Sequence, residues 1–239
     1  MIKSVRMRNF AVRHLAFSFL QVLVILIVIA TESGARPASI RGHVPDCGAQ
    51  EQDGWTALKT DDGVLFIWNR KDLSFTLSIK GHDIKPMDSR ENIFFAVDGL
   101  PFQIQSLPIG NFAPEARKNK LDDKAILFAH RDWESNFIAD ELLHKKLAVQ
   151  SSSVSLANGS DGLIWQFDMP KEVGGEAKRQ MYLTRVSKDY VILLNSIIND
   201  TFPEEFVRKF LLDTINTLRV SDSPIDVKKI QEAIRKGNQ

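Results

Sequence analysis

The chain has a single cysteine, Cys47, among 239 residues. One cysteine cannot form an internal disulfide, so a folded domain here must hold together by its apolar core. An excess of charge of one sign is also lacking, since 31 Lys and Arg stand against 30 Asp and Glu. No long like-charge tract occurs. Together these exclude a general electrostatic attraction to nucleic acid or anionic lipid. Several catalytic signatures are missing from the sequence: a Gly-x-Ser-x-Gly nucleophile elbow, a phosphate-cradling glycine loop and a His-Glu-x-x-His zinc pair. No internal repeat is present. The overall balance, 44% hydrophobic and 26% charged, is that of a globular protein rather than a disordered or fibrous one.

What is present begins with a marked N-terminus. Lys3, Arg6, Arg8 and Arg13 precede the apolar run Leu15–Ala30, and small residues follow it in "TESGA". A basic start, a short apolar core and small residues behind it predict a secretory signal peptide over residues 1–35. The alternative is an uncleaved anchor over residues 15–30, although the run contains Gln21 and is shorter than the ~20 residues of a comfortable span. Both readings export the rest of the chain, because the basic residues keep the N-terminus inside. Removing the four basic residues and Glu32 leaves 27 Lys and Arg against 29 Asp and Glu, a balance of −2. Cys47 lies too far beyond the apolar run for a lipoprotein site. It sits in a Gly- and Pro-containing stretch, 36–53, predicted to be a flexible linker. A single domain is expected over residues 54–239.

Beyond the linker the pattern is mostly that of strands. "LSFTLSIKG" (73–81) alternates apolar and polar side chains, as a half-buried strand does. "WTALK" and "GVLFIWN" flank an Asp-Gly turn, and Asp98-Gly99 divides "NIFFAVDGLPFQIQSL" into a hairpin. Pro101 predicts that the second strand of that hairpin lies at a sheet edge. Residues 108–121 read as a loop and Asp122–Lys146 as one long helix with acids at its start and lysines at its end. Strands are predicted over 146–157, 163–169, 181–186 and 190–198, with 170–180 as a polar loop suited to partner contact. Thr201 and Glu204 have capping-box spacing ahead of the apolar stripe Phe206, Val207, Phe210, Leu211, Ile215 and Leu218. Ser223 and Pro224 predict the start of a last helix over 224–236.

The fold class predicted is α+β, an antiparallel β-sheet with helices packed on it. In element order, and in its closing helix "PEEFVRKFLLDTINTLRV", the chain from residue 55 to 220 resembles the PsbP-like α/β/α sandwich. That group is named for an extrinsic subunit of the photosynthetic oxygen-evolving complex. The resemblance implies an accessory or binding protein rather than an enzyme. It assigns no residue a role, since no family motif is matched.

The densest chemistry lies in "HRDWESNFIADELLH" (130–144). At about 100° per residue, Glu134, Glu141 and His144 fall within about 40° of His130 around the helix. Phe137 occupies the middle of that sector and Trp133 its border. The two histidines are about 21 Å apart along a helix rising 1.5 Å per residue, too far to share one ion. The functional reading is a metal or acid/base site using His130 and Glu134 with residues from neighbouring strands. The structural reading is a pair of ordinary i,i+4 contacts, His130–Glu134 and Asp140–His144, on a helix surface. Trp165, within a strand, and Trp133, on the helix, either fill the core or line a pocket for an apolar ligand.

The expectation is therefore an exported protein, periplasmic or secreted, that acts as a non-catalytic accessory or binding module. Its partner would be a protein or a small apolar ligand outside the cytoplasm, with no nucleic acid and with membrane contact only if residues 15–30 remain attached. Candidate ligand-binding residues are His130, Trp133, Glu134 and Trp165. No cofactor, metal or catalytic residue is assigned. The alternatives are a hydrolase or metal-dependent enzyme built on the His130/Glu134 region and a membrane-tethered interaction domain.

Overall fold

In the computed structural model the described residues are 54–87, 93–116 and 118–237. The segment predicted as signal peptide or anchor, the predicted linker and Cys47 lie outside them. Among the described residues, eleven strands form two antiparallel sheets. The smaller has the order β1 (Gly54–Thr60), β2 (Gly63–Asn69), β3 (Ser74–Lys80) and β11 (Arg219–Ser221). The larger has seven strands in the order β4 (Ile84–Met87), β5 (Ile93–Val97), β6 (Leu100–Pro108), β10 (Tyr190–Ile198), β9 (Arg179–Ser187), β8 (Asp161–Asp168) and β7 (Gln150–Ser155). The helices are α1 (Asp123–Phe137), α2 (Lys171–Gly174), α3 (Glu204–Ile215) and α4 (Val227–Gly237). This is the α+β arrangement of antiparallel sheets and packed helices that the sequence predicts.

The centre of the large sheet is buried on both faces, which is why β10 reads "YVILLNSII", with all nine residues buried. Successive side chains point to opposite faces. Tyr190, Ile192, Leu194 and Ile198 meet the small sheet and α3 in one core. Val191, Leu193 and Ile197 belong to a second core with Leu163, Trp165, Phe167 and Tyr182, closed by α1 and the segment around Ile109–Ala116. The small sheet carries α4, which packs on β1 and is tied to β2 by two hydrogen bonds between the Asn69 amide and the Ile225 backbone.

Several expectations are corrected. β6 is an interior strand, paired with both β5 and β10. Pro101 is tolerated because it lies at the strand's start, beyond the last β10 pair at Phe102, and its carbonyl accepts the Ser196 hydroxyl instead. Thr201 does not cap α3. Pro203 occupies the cap position, and Glu204 reaches Gln166 and Arg179. In α4 the capping carboxylate is Asp226, which accepts from the Lys229 amide, rather than the Ser223 side chain. Residues 170–180 are less loop-like than predicted, since α2 lies there and Ala177 is buried in the second core.

Candidate functional site

α1 begins where Asp122 accepts a hydrogen bond from the Ala125 amide at 2.7 Å. Its inward line runs Ile126, His130, Glu134, Ile138, four residues apart and all buried. Two of these four positions, where the pattern of a packed helix calls for apolar residues, hold a histidine and a carboxylate. The predicted surface pair is thus an interior pair, and both side chains have zero exposure. His130 Nε2 stands 3.9 Å from Glu134 Oε2, beyond hydrogen-bond distance. Neither imidazole nitrogen and neither carboxyl oxygen has a hydrogen-bond partner.

Burial sets the protonation of both groups. It lowers His130 to about 3 and raises Glu134 to about 8. At neutral pH both are therefore uncharged. A neutral imidazole offers one donor and one acceptor, and a protonated carboxyl does the same.

The surroundings are aromatic. Phe112 meets His130 edge to face, ring centres 5.1 Å apart, and Trp133 lies 6.2 Å from the same ring. Trp133 and Phe137 are half-buried and stack on each other at the flank of the helix, so Phe137 does not occupy the inward line. Across from α1 lie β8 and β9. Trp165 and Tyr182 are register partners on these strands, stacked face to face with ring centres 3.8 Å apart. Both are buried, and the Trp165 indole nitrogen has no partner. The Tyr182 hydroxyl is pushed well up, first by burial and then by the Glu134 carboxyl, which places the two groups in one electrostatic neighbourhood.

The same row continues across the sheet as Asn195 and Gln103. Asn195 Nδ2 donates to Gln103 Oε1 at 2.5 Å, and Gln180 Nε2 donates to Asn195 Oδ1 at 3.5 Å. All three amides are buried, and Gln103 Nε2 lacks a partner. Reading the sequence missed this polar row. Its one legible trace is Asn195, which with Ser196 interrupts the apolar run of a nine-residue strand.

The helix does not run on to Lys146 as predicted. After Phe137 it widens into a π-helical turn, Ile138–Leu143, and stops at His144, whose backbone is left-handed with φ 47°. π turns inside helices recur at functional sites. Beside this one is a cleft of about 550 Å³, lined by Ser135, Ala139, Asp140, His144 and Lys145 among others. His144 thus faces the cleft while His130 faces the core, and the two do not meet. Among the described residues, no three His, Cys, Asp or Glu side chains gather in a group able to hold a metal ion. Of the four predicted ligand residues, the structure brings His130, Glu134 and Trp165 into the helix–sheet interior and leaves Trp133 at its rim.

No family model matches the chain, and no curated protein matches it. Among solved structures it is similar to the solution structure of PsbP from the cyanobacterium Synechocystis. The two are 10% identical, the match covers 75% of this chain and 100% of that one, and the TM-score is 0.39.

Proposed function

We propose that this protein is an exported, non-catalytic binding module whose ligand is held between α1 and the large sheet. The observation that carries the reading is the His130–Glu134 pair. Each buried polar group left without a partner costs about 1–3 kcal/mol. Leucine at both positions would continue the line from Ile126 to Ile138 without that cost. A helix that keeps histidine and glutamate there has a use for their hydrogen-bonding groups, and stability traded for function is the usual reason for such a departure. Trp165 and Tyr182 beneath, with Phe112 and Trp133 at the side, supply the apolar walls that small-molecule sites need. Export rests on the N-terminal sequence alone: basic residues, the apolar run Leu15–Ala30 and small residues after it.

Native mass spectrometry of the protein recovered outside the cytoplasm of an expressing cell tests both parts. The expected spectrum shows a chain lacking its first 30 to 35 residues and carrying a small molecule. The His130→Leu/Glu134→Leu variant should carry none. A ligand-free spectrum for the wild-type protein, or the same adduct on both proteins, contradicts the binding reading. A full-length chain retained in the membrane fraction contradicts cleavage and favours the tethered alternative.

A further inference from the structure

We infer that the ligand of this site is a neutral, planar molecule presenting a hydrogen-bond donor and acceptor side by side on one edge, such as a lactam or another cyclic amide, entering from the cleft beside the π turn. The inference rests on the binding reading above and narrows it to one chemistry.

The unpartnered atoms define the edge. His130 and Glu134, one turn apart on α1, contribute four polar atoms at zero exposure, and the Trp165 indole N–H, on the strand that faces α1, is likewise without a partner. With both groups uncharged, each offers a donor and an acceptor. A ligand edge of matching pattern satisfies donor with acceptor in both directions. A purely apolar ligand would fill space but leave these atoms unpaired. A carboxylate or ammonium would bring a charge into a place with no opposite charge fixed to receive it, at a large desolvation cost. The walls decide the shape. Trp165 lies flat on Tyr182, 2° from parallel. Phe112, His130 and Trp133 cluster with ring centres 5.1 to 6.2 Å apart. Flat aromatic surfaces of this kind favour a flat guest.

The route follows from the helix. Ser135, next to Glu134 in the chain, and Ala139, one turn further on, are both buried and both line the cleft of about 550 Å³. At this point α1 gives up regular geometry for the π turn and the left-handed His144. The cleft thus opens to solvent next to Glu134 in the chain, and its lining comes from the end of the helix and the segment that follows it, Ser135 to Leu147. Because Glu134 has no exposure, entry by this route requires the C-terminal turn of α1 to move aside.

The test is an NMR titration of the full domain, following the Trp165 indole N–H, with three probes of similar size. Carbostyril is a planar lactam, naphthalene lacks the polar edge, and quinaldate carries a charge. Carbostyril is expected to bind saturably, about tenfold or more tighter than naphthalene, since one good hydrogen bond is worth about that factor. The advantage should vanish in the His130→Leu/Glu134→Leu variant, where naphthalene binds at least as well. Naphthalene binding the wild-type protein as tightly as carbostyril overturns the hydrogen-bonding inference and leaves the binding reading intact. Quinaldate binding most tightly overturns neutrality. No shift with any probe overturns both. The ranking in the wild-type protein decides the matter even if the variant folds poorly.

Discussion

His130 and Glu134 stand one helical turn apart on the inward face of α1, 3.9 Å from each other and wholly enclosed, without a hydrogen bond between them or to any neighbour. An ion pair at this distance would require two desolvated charges with poor geometry. Two neutral groups avoid that cost, and burial drives both toward the neutral state.

The pair gives stability a specific dependence on pH. The folded-state value of His130 lies below its ordinary 6.5, near 3, so the unfolded chain binds the extra proton between those limits. Its contribution is present above 6.5 and is lost as pH falls toward 3. For Glu134 the folded-state value lies above its ordinary 4.5, near 8. Here the folded state holds the extra proton, so the contribution is present below 4.5 and is lost as pH rises toward 8. The two slopes cancel between 4.5 and 6.5. Relative to the His130→Leu/Glu134→Leu variant, the wild-type protein should be most stable across that plateau and lose ground on both sides. Urea unfolding of both proteins from pH 4 to pH 8 checks this, since the difference removes titrations common to both. A difference that does not change with pH contradicts the buried, neutral pair.

The amide row behaves differently from the pair because its members are bonded. Asn195→Leu leaves Gln103 Oε1 and the Gln180 amide without partners in the sheet interior. It should destabilise by about 1–3 kcal/mol. Replacing Gln103 by Leu as well should recover part of the loss, measured as a coupling in a double-mutant cycle of chemical denaturation. Strictly additive losses would mean that the two amides do not interact.

Trp165 and Tyr182 form the floor beneath α1. Trp165→Ala opens a void there and should cost about 3–5 kcal/mol. Tyr182→Phe keeps the stacked ring and should leave the melting temperature within a few degrees of wild type. Equal losses for the two would place the stabilisation in the tyrosine hydroxyl rather than in the stack.

Much of this architecture is legible in the amino-acid order. The alternation over residues 73–81 marks β3, and Asp98-Gly99 marks a hairpin whose two turn residues both have positive φ, 50° and 86°. Asp122 marks the start of α1. The departures share a cause, which is that local signals do not report what lies on the other side of the residue. Pro101 reads as an edge residue because its missing N–H counts against central strands, yet at the strand's start no β10 pair is lost. Thr201 and Glu204 have the spacing of a capping box, but Glu204 is taken by Arg179 and Gln166 across the fold. In 130–144 the apolar residues are spread around the helix. Ile126 and Ile138 define the inward line only once the sheet is in place, and then His130 and Glu134 fall on it. The π turn has no sequence signature here and displaces the later residues from the angular positions of a regular helix.

The stability of the His130→Leu/Glu134→Leu variant tests most directly whether this pair is kept for binding at the expense of packing. Replacing two buried, unpartnered neutral polar groups with apolar residues of similar shape is nearly neutral or stabilising, since each such group costs about 1–3 kcal/mol. Chemical denaturation at pH 7 should therefore find the variant at least as stable as the wild-type protein. A variant less stable by 2 kcal/mol or more, about the loss expected when a satisfied buried interaction is removed, would show that histidine and glutamate hold the fold together. It would remove the ground for placing a ligand between α1 and the sheet.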